Sequence, residues 1–134
     1  MHVDGACHCG AIRFEAEIDP NRVGLCHCTD CQIFSGSAFR TSVLVPESDF
    51  RSLGEAPAIY EKTSEAGRPR HLAFCGACGT HVYGVSDGDG PRTYSVRVGT
   101  LAQRAEIAPA VQVWTRSSVE WIDRIGEVPK IDTQ

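Results

Sequence analysis

Seven cysteines, gathered in three short clusters, are the residues of this 134-residue chain that most clearly promise chemistry. Zinc binds thiolates at about 2.3 Å in a tetrahedron, so its ligands arrive as close pairs from different parts of a chain. Disulfide pairing would leave one of the cysteines over, which also favours metal ligation. We therefore predict zinc sites built from three segments: Cys7-His8-Cys9, Cys26-His27-Cys28-Thr29-Asp30-Cys31 and Cys75-Gly76-Ala77-Cys78-Gly79.

The ligands divide most economically into a set of four and a set of three. Cys26, Cys28 and Cys31 lie within six residues of chain and can form a three-ligand site almost alone. Three protein ligands leave a fourth position for water or substrate, as in catalytic zinc sites, whereas four cysteines close a structural site. The closed site would then join two distant pairs: Cys7 with Cys9, and Cys75 with Cys78.

Spacing alone leaves other divisions open. The C-x-x-C pairs Cys28/Cys31 and Cys75/Cys78 are also the pattern of a zinc ribbon, which would leave the other cysteines over. An iron–sulfur cluster is a further alternative, because it too is held by cysteine thiolates.

The local geometry of the clusters follows from their spacing. In an extended C-x-C segment both sulfurs point to one face, and the intervening histidines, His8 and His27, point to the other. A C-x-x-C pair fits a tight turn, for which Gly76 and Gly79 are suited because glycine adopts positive φ without strain.

Alternation of apolar and polar residues predicts that strands position these clusters. Residues 11–18 alternate cleanly, and residues 93–98 repeat the pattern with Tyr94, Val96 and Val98 inward. The inward face of the first run is Ile12, Phe14, Ala16 and Ile18. Shorter runs predict strands at 41–45, 58–61, 71–74, 81–85 and 111–114, and residues 86–91 are typical of a loop.

Helix signals are few. Thr29 and Gln32 match a capping box, which predicts a short helix starting just after Cys28. Such a helix would aim its N–H groups at the nearby sulfurs and favour their negative charge. A second short helical turn is predicted over residues 117–122. Many short strands with few short helices indicate a mostly β chain, which we expect to be a single zinc-binding domain over residues 1–134.

Composition narrows the functional classes. The chain has 13 basic and 17 acidic residues and a net charge of −4, so we expect no binding to nucleic acid or to a membrane, both of which need basic patches. The first residues show no signal peptide, and no run approaches ~18 apolar residues. We therefore expect a cytoplasmic chain with reduced thiols, and leave its oligomeric state open.

The motifs resemble one known family. The segments Gly5-Ala6-Cys7-His8-Cys9-Gly10, Cys26–Cys31 with Ser35-Gly36, and Phe74-Cys75-Gly76-Ala77-Cys78-Gly79-Thr80 are similar to the glutathione-dependent formaldehyde-activating enzyme family, which also includes centromere protein V. Later residues agree with the family's G-T-L strand end and its C-terminal tryptophan pattern: Val98-Gly99-Thr100-Leu101, and Val113-Trp114 with Trp121. The resemblance covers nearly the whole chain.

This resemblance implies a β-tent fold of small antiparallel sheets clipped by two zinc ions. It implies a carbon–sulfur lyase similar to S-(hydroxymethyl)glutathione synthase, with glutathione or a related thiol as co-substrate and formaldehyde or another small electrophile as its partner. The implied ligands are Cys7, Cys9, Cys75 and Cys78 for a structural zinc, and Cys26, Cys28 and Cys31 for a catalytic zinc.

Residues near the clusters are candidates for lesser roles. We expect Asp30 to cap the helix rather than relay a proton. His8 and His27 are expected to be hydrogen-bonded histidines rather than acid–base catalysts. His71 and His81 flank the third cluster and are alternative ligands.

Other candidates concern the binding of a substrate. Trp114 and Trp121 are expected in the core rather than in a pocket wall, and Ser35-Gly36 either approaches a ligand or forms a turn. Because glutathione is anionic, arginines should meet its carboxylates. The candidates are Arg40, Arg68, Arg70 and Arg97.

Two functions of other classes stay open. One is a non-catalytic zinc module that binds a protein partner, as centromere protein V suggests, although the sequence shows no basic extension for that role. The other is a redox or metal-buffering protein that uses a labile three-cysteine site.

Overall fold

The computed structural model describes residues 1–64, 67–86 and 89–133, and this part of the chain is mostly β. It contains a single α-helix, α1 (Thr29–Ser35), and several short 3-10 turns. The strands are β1 (His2–Ala6), β2 (Arg13–Glu17), β3 (Val23–Cys26), β4 (Arg40–Pro46), β5 (Phe50–Ser52), β6 (Ala58–Thr63), β7 (Pro69–Phe74), β8 (His81–Ser86), β9 (Thr93–Arg97) and β10 (Val111–Val113). The predicted mostly β class is confirmed.

The strands form two sheets. The smaller sheet has the order β1-β2-β5 and is antiparallel throughout. The larger sheet has seven strands in the order β10-β3-β4-β9-β8-β7-β6. Its β10–β3 pair is parallel, and its other pairs are antiparallel, as predicted. Most of the predicted strands are present, whereas β1, β3 and β5 were not predicted.

Apolar residues between the two sheets form the core. The alternating run around β2 is buried on the predicted face: Ile12, Phe14, Ala16 and Ile18. The ring of Phe50 stacks on Phe14 in its own sheet, at 5.1 Å between centroids, and on Tyr94 in the larger sheet, at 4.6 Å. The small sheet therefore covers one face of the large sheet.

The other face of the large sheet is also partly covered. On β9, Val96 faces the core as predicted, but the alternate residues Ser95 and Arg97 are buried as well, at 5% and 7% exposure. Helix α1 lies over this face, where the Phe34 ring contacts Tyr60 of β6. A face that buries serine and arginine under a helix is typical of a polar site rather than of a core.

Helix α1 begins where the sequence predicts but is capped differently. Cys28 is the N-cap, and its sulfur accepts a hydrogen bond from the Cys31 N–H at 3.4 Å. The Gln32 amide does not close a capping box; it donates to the backbone carbonyls of His27 and Ser117 instead. The prediction of a capping box was therefore wrong, because a thiol occupies the capping position.

The remaining turns follow the sequence signals. Gly36 adopts a φ of +64° and ends α1, so Ser35-Gly36 forms a turn. The predicted helical turn at 117–122 corresponds to two 3-10 segments, Thr115–Ser117 and Glu120–Glu127. Residues 87 and 88 of the predicted loop lie outside the described residues. None of the described helices has the length and apolar character needed to cross a membrane.

Candidate metal centres

The first cluster brings together Cys7, Cys9, Cys75 and Cys78, whose sulfurs all lie within 4.8 Å of one another. The Sγ atoms of Cys7 and Cys9 are 3.6 Å apart, and those of Cys9 and Cys75 are 3.7 Å apart. A tetrahedral zinc ion with Zn–S bonds of about 2.3 Å separates its sulfurs by about 3.8 Å. The cluster therefore has the donors and the size that suit one zinc ion.

Two tight turns hold this cluster. The Gly10 N–H donates to the Cys7 carbonyl at 3.0 Å, and the Gly79 N–H donates to the Cys75 carbonyl at 2.8 Å. Both glycines have positive φ, +80° and +76°, a conformation that favours glycine. Gly79 thus adopts the positive φ predicted for the C-x-x-C turn, whereas Gly76 does not. The first cysteine pair lies in a turn and not in the predicted extended segment.

Thr80 connects the two turns, and sequence reasoning assigned it no role. Its Oγ1 accepts a hydrogen bond from the His8 N–H at 3.1 Å and lies 3.2 Å from the Cys78 sulfur, to which the hydroxyl can donate. Hydrogen bonds from the Thr80 side chain and backbone lower the pKa of the Cys78 thiol to about 5. The sequence signal that could have indicated this role is a hydroxyl-bearing residue directly after the C-x-x-C-G motif.

The second cluster contains Cys26, Cys28 and Cys31, whose sulfurs also lie within 4.8 Å of one another. Cys26 ends β3, Cys28 caps α1, and Cys31 lies in its first turn. The hydrogen bond between the Cys26 and Cys31 sulfurs lowers the pKa of the Cys26 thiol to about 5 and raises that of Cys31. Binding of a metal ion at this cluster would release the thiol protons.

The structure thus groups the cysteines four plus three, and both groups could hold a metal ion. The alternative pairing of Cys28/Cys31 with Cys75/Cys78 as a ribbon is not seen in the described ranges. Clustered thiolates at these separations are the donor set that zinc prefers.

A cavity of about 620 Å³ opens beside the second cluster. All three cysteines of that cluster line it, and none of the four cysteines of the first cluster does. The cavity lies on the α1 side of the large sheet, with β3, β4 and β7 in its walls. Among the residues that the structure describes, four cationic side chains line it: Arg22, Arg40, Lys62 and Arg70.

The predicted arginines have three different positions. Arg40 and Arg70 line the cavity, Arg97 is buried and does not line it, and Arg68 is exposed and does not line it. Arg22 and Lys62 were not predicted, because single basic residues on or next to strands carry no spacing signal.

Asp30 lines the cavity but does not cap α1, which corrects the prediction. Its carboxylate forms an ion pair with Lys62 of β6. This pair connects the helix to the edge strand of the large sheet.

The histidines stay outside both clusters. His27 is fully buried, and its Nε2 lies 2.8 Å from the Gln112 Oε1, so the prediction of a hydrogen-bonded histidine is confirmed. His8 is exposed. Neither His71 nor His81 joins a group of potential ligands in the described residues.

The tryptophans are not in the core, and that prediction was wrong. Trp114 follows β10, lines the cavity and is 43% exposed, with the Arg116 guanidinium 4.7 Å from the centroid of its ring. Trp121 is 51% exposed. The prediction relied on the apolar character of tryptophan, which does not show whether a particular side chain is buried or exposed.

Several known proteins are similar to this chain. Over 80 residues the chain is 32% identical to an uncharacterized lyase of Schizosaccharomyces pombe, an alignment that covers 60% of this chain and 55% of that protein. A crystal structure of a Rhodobacter sphaeroides protein has a TM-score of 0.64, with 22% identity, over 84% of this chain and 100% of that chain, which supports the fold. The sequence profile of the glutathione-dependent formaldehyde-activating enzyme matches residues 2–117. The chain therefore belongs to the glutathione-dependent formaldehyde-activating enzyme family.

Proposed function

We propose that this chain is a zinc-dependent carbon–sulfur lyase that forms or cleaves the adduct of a thiol, glutathione or a relative of it, with formaldehyde or another small electrophile. The observation that carries the proposal is the contrast between the clusters: of the two in the described residues, the three-cysteine cluster lines a cavity and the four-cysteine cluster does not. Family membership and the lyase-named relative support the reaction class.

The two clusters would have separate roles. Cys7, Cys9, Cys75 and Cys78 would hold a structural zinc, while Cys26, Cys28 and Cys31 would leave one coordination position facing the cavity. When bound there, zinc would supply the Lewis acidity that keeps a thiol as thiolate at neutral pH.

The protein's own contribution would be to position the two reactants. The cavity would hold the thiol with its sulfur at the cysteine cluster and would admit the electrophile beside it. The thiolate sulfur attacks the carbonyl carbon, a carbon–sulfur bond forms, and the carbonyl π electrons move to oxygen, which takes up a proton from solvent. The reverse sequence cleaves the adduct. Proximity and deprotonation are the expected sources of rate.

The proposal is tested by the rate at which glutathione and formaldehyde form the hydroxymethyl adduct. We expect zinc-loaded protein to exceed the uncatalysed rate, and Cys31→Ser to abolish the excess while keeping the fold. Arg68→Gln, which changes an exposed arginine outside the cavity, is the matched control and should retain the excess. Fully zinc-loaded protein that gives no excess rate would contradict the proposal.

A further inference from the structure

Arginines from three strands meet on the cavity side of the large sheet. Arg40 lies on β4, Arg97 on β9 and Arg70 on β7. Arg97 is paired across the sheet with Ser42, and Ser42 lines the cavity together with Arg40, two residues earlier on the same strand. The side chains of Arg97 and Arg40 therefore belong to the same face of the sheet. Strand β8, between β9 and β7, contributes Gly84 to this face, since Gly84 pairs with Ser95 and with Leu72 of the cavity wall.

Gly84 provides the space into which two guanidinium groups extend. A Cβ atom at this position would lie 3.5 Å from the Arg97 Nη2 and 3.7 Å from the Arg70 Nη2. The two nitrogen atoms thus approach the same point from the strands on either side of β8. The two positively charged groups can lie close together here because Gly84, on the strand between them, has no side chain.

No carboxylate of the described residues balances these charges in the cavity wall. Within residues 1–64, 67–86 and 89–133, the only acidic lining residue is Asp30, and it pairs with Lys62. Arg97 donates through Nη1 to the Ser95 carbonyl at 2.9 Å, and Arg70 donates through Nη1 to the Ser86 hydroxyl at 2.5 Å.

Two buried arginine nitrogens lack any hydrogen-bond partner in the described part of the chain. They are the Nη2 of Arg97, whose side chain is more than nine-tenths buried, and the Nε of Arg40. Burial lowers the pKa of Arg97 to about 9, with a further contribution from Arg40, and burial also lowers the pKa of Arg70. Buried cations with free donors are costly unless an anion joins them.

The sulfurs of the second cluster line the same cavity, but they do not complete this arrangement. No arginine nitrogen of the described residues is hydrogen-bonded to Cys26, Cys28 or Cys31. The guanidinium donors therefore stay available to oxygen atoms, and the planar guanidinium matches a carboxylate in a bidentate pair.

We propose that Arg40 and Arg70 bind a carboxylate of the thiol substrate, with the buried Arg97 guanidinium next to Arg70 as a third cation that adds to the positive charge there. The substrate is then a thiol that carries a carboxylate, and neutral thiols are excluded. This inference rests on the proposed function, because it assumes that the cysteine cluster binds the sulfur. A small neutral electrophile such as formaldehyde has no anionic group, so the arginines select the thiol and not its partner.

The test is calorimetric binding to zinc-loaded protein of glutathione and of its diethyl ester, in which both carboxylates are masked. We expect wild-type protein to bind glutathione more tightly than the diester. Arg70→Gln should weaken glutathione binding roughly 10- to 100-fold, the range for one charge-assisted hydrogen bond, and leave diester binding within about 3-fold. Arg40→Gln should act in the same direction, and Arg68→Gln, the exposed control, should bind both ligands like wild type.

Equal binding of the two ligands by wild-type protein would overturn the inference, as would unchanged glutathione binding by both cavity variants. In either case thiol binding, and with it the proposed function, would stand. If wild-type protein bound neither ligand, the proposed function would fail together with the inference. Circular dichroism of each variant establishes that the fold is intact, and Arg40→Gln and Arg70→Gln test the inference independently of each other.

Discussion

The two cysteine clusters present the same sulfur ligands in different surroundings. In the first, Cys7 and Cys75 belong to the apolar core, and Thr80 bridges the turns that hold the sulfurs. In the second, the sulfurs line a cavity together with Arg40 and Arg70. The donors are chemically identical, so the difference between a closed site and an open one comes from what occupies the fourth direction: a cysteine in one case and a cavity in the other.

The largest expected effect is on folding. Cys75→Ser removes a ligand of the proposed structural zinc, which would join Cys75 to Cys9, 66 residues away, and structural zinc contributes of order 10 kcal/mol to folding. We expect this variant to unfold or aggregate, whereas Cys28→Ser should fold and lose activity. Thermal melts followed by circular dichroism measure the difference. A Cys75→Ser melt that matches wild type would mean that the first cluster is not structural.

The second largest effect is expected on metal content, which should differ between the two clusters after chelation. Purified protein is expected to hold two zinc ions per chain, and mild chelation should remove the ion at the open cluster before the ion at the closed one, since the open ion has one protein ligand fewer. Elemental analysis before and after chelation measures this. A single zinc ion in unchelated protein, or loss of both ions together, would contradict the four-plus-three division.

A smaller effect is expected at the bridge between the turns. Thr80→Val removes both hydrogen bonds of the hydroxyl and should lower the free energy of unfolding by about 1–3 kcal/mol. Thr93→Val is a matched control, because Thr93 is exposed on β9. Urea denaturation of the zinc-loaded proteins gives the comparison. Equal stability of the two variants would show that Thr80 does not support the first cluster.

The smallest expected effect is the contribution of His81 to the pH dependence of stability. Burial lowers the pKa of His81 below its ordinary value of 6.5, and Arg97 and Arg40 lower it further. As pH falls below 6.5 the unfolded chain binds a proton that folded His81 does not, so its contribution to stability decreases. His81→Asn should show a weaker loss of stability than wild type between pH 7 and about pH 5 by urea denaturation. Identical pH slopes would contradict this.

Local patterns in the sequence predicted those parts of the fold that depend on nearby residues. Residues 11–18 alternate because one face packs on the core, and that face was identified correctly. Strand β5, Phe50–Ser52, has three residues and is too short to show alternation, and β1 and β3 were missed as well. The cysteine groups could be predicted because clustered thiols carry their own spacing signal.

The cavity could not be predicted, because its wall forms only when distant strands pair. Lys62 and Trp114 reach it from opposite edges of the seven-stranded sheet, and no local pattern connects them. Arg97 would be expected at the surface, as charged residues usually are. Its burial depends on the space beside Gly84, which belongs to another strand.

The claim that the three-cysteine site keeps a position open for a thiol is tested most directly by cobalt spectroscopy. Cobalt is placed at Cys26, Cys28 and Cys31, and glutathione is added. We predict that sulfur-to-cobalt charge-transfer bands intensify and saturate at one glutathione per site, and that binding strengthens as pH rises towards the thiol pKa, because ligation releases the thiol proton. A spectrum that glutathione leaves unchanged at every pH would contradict the claim.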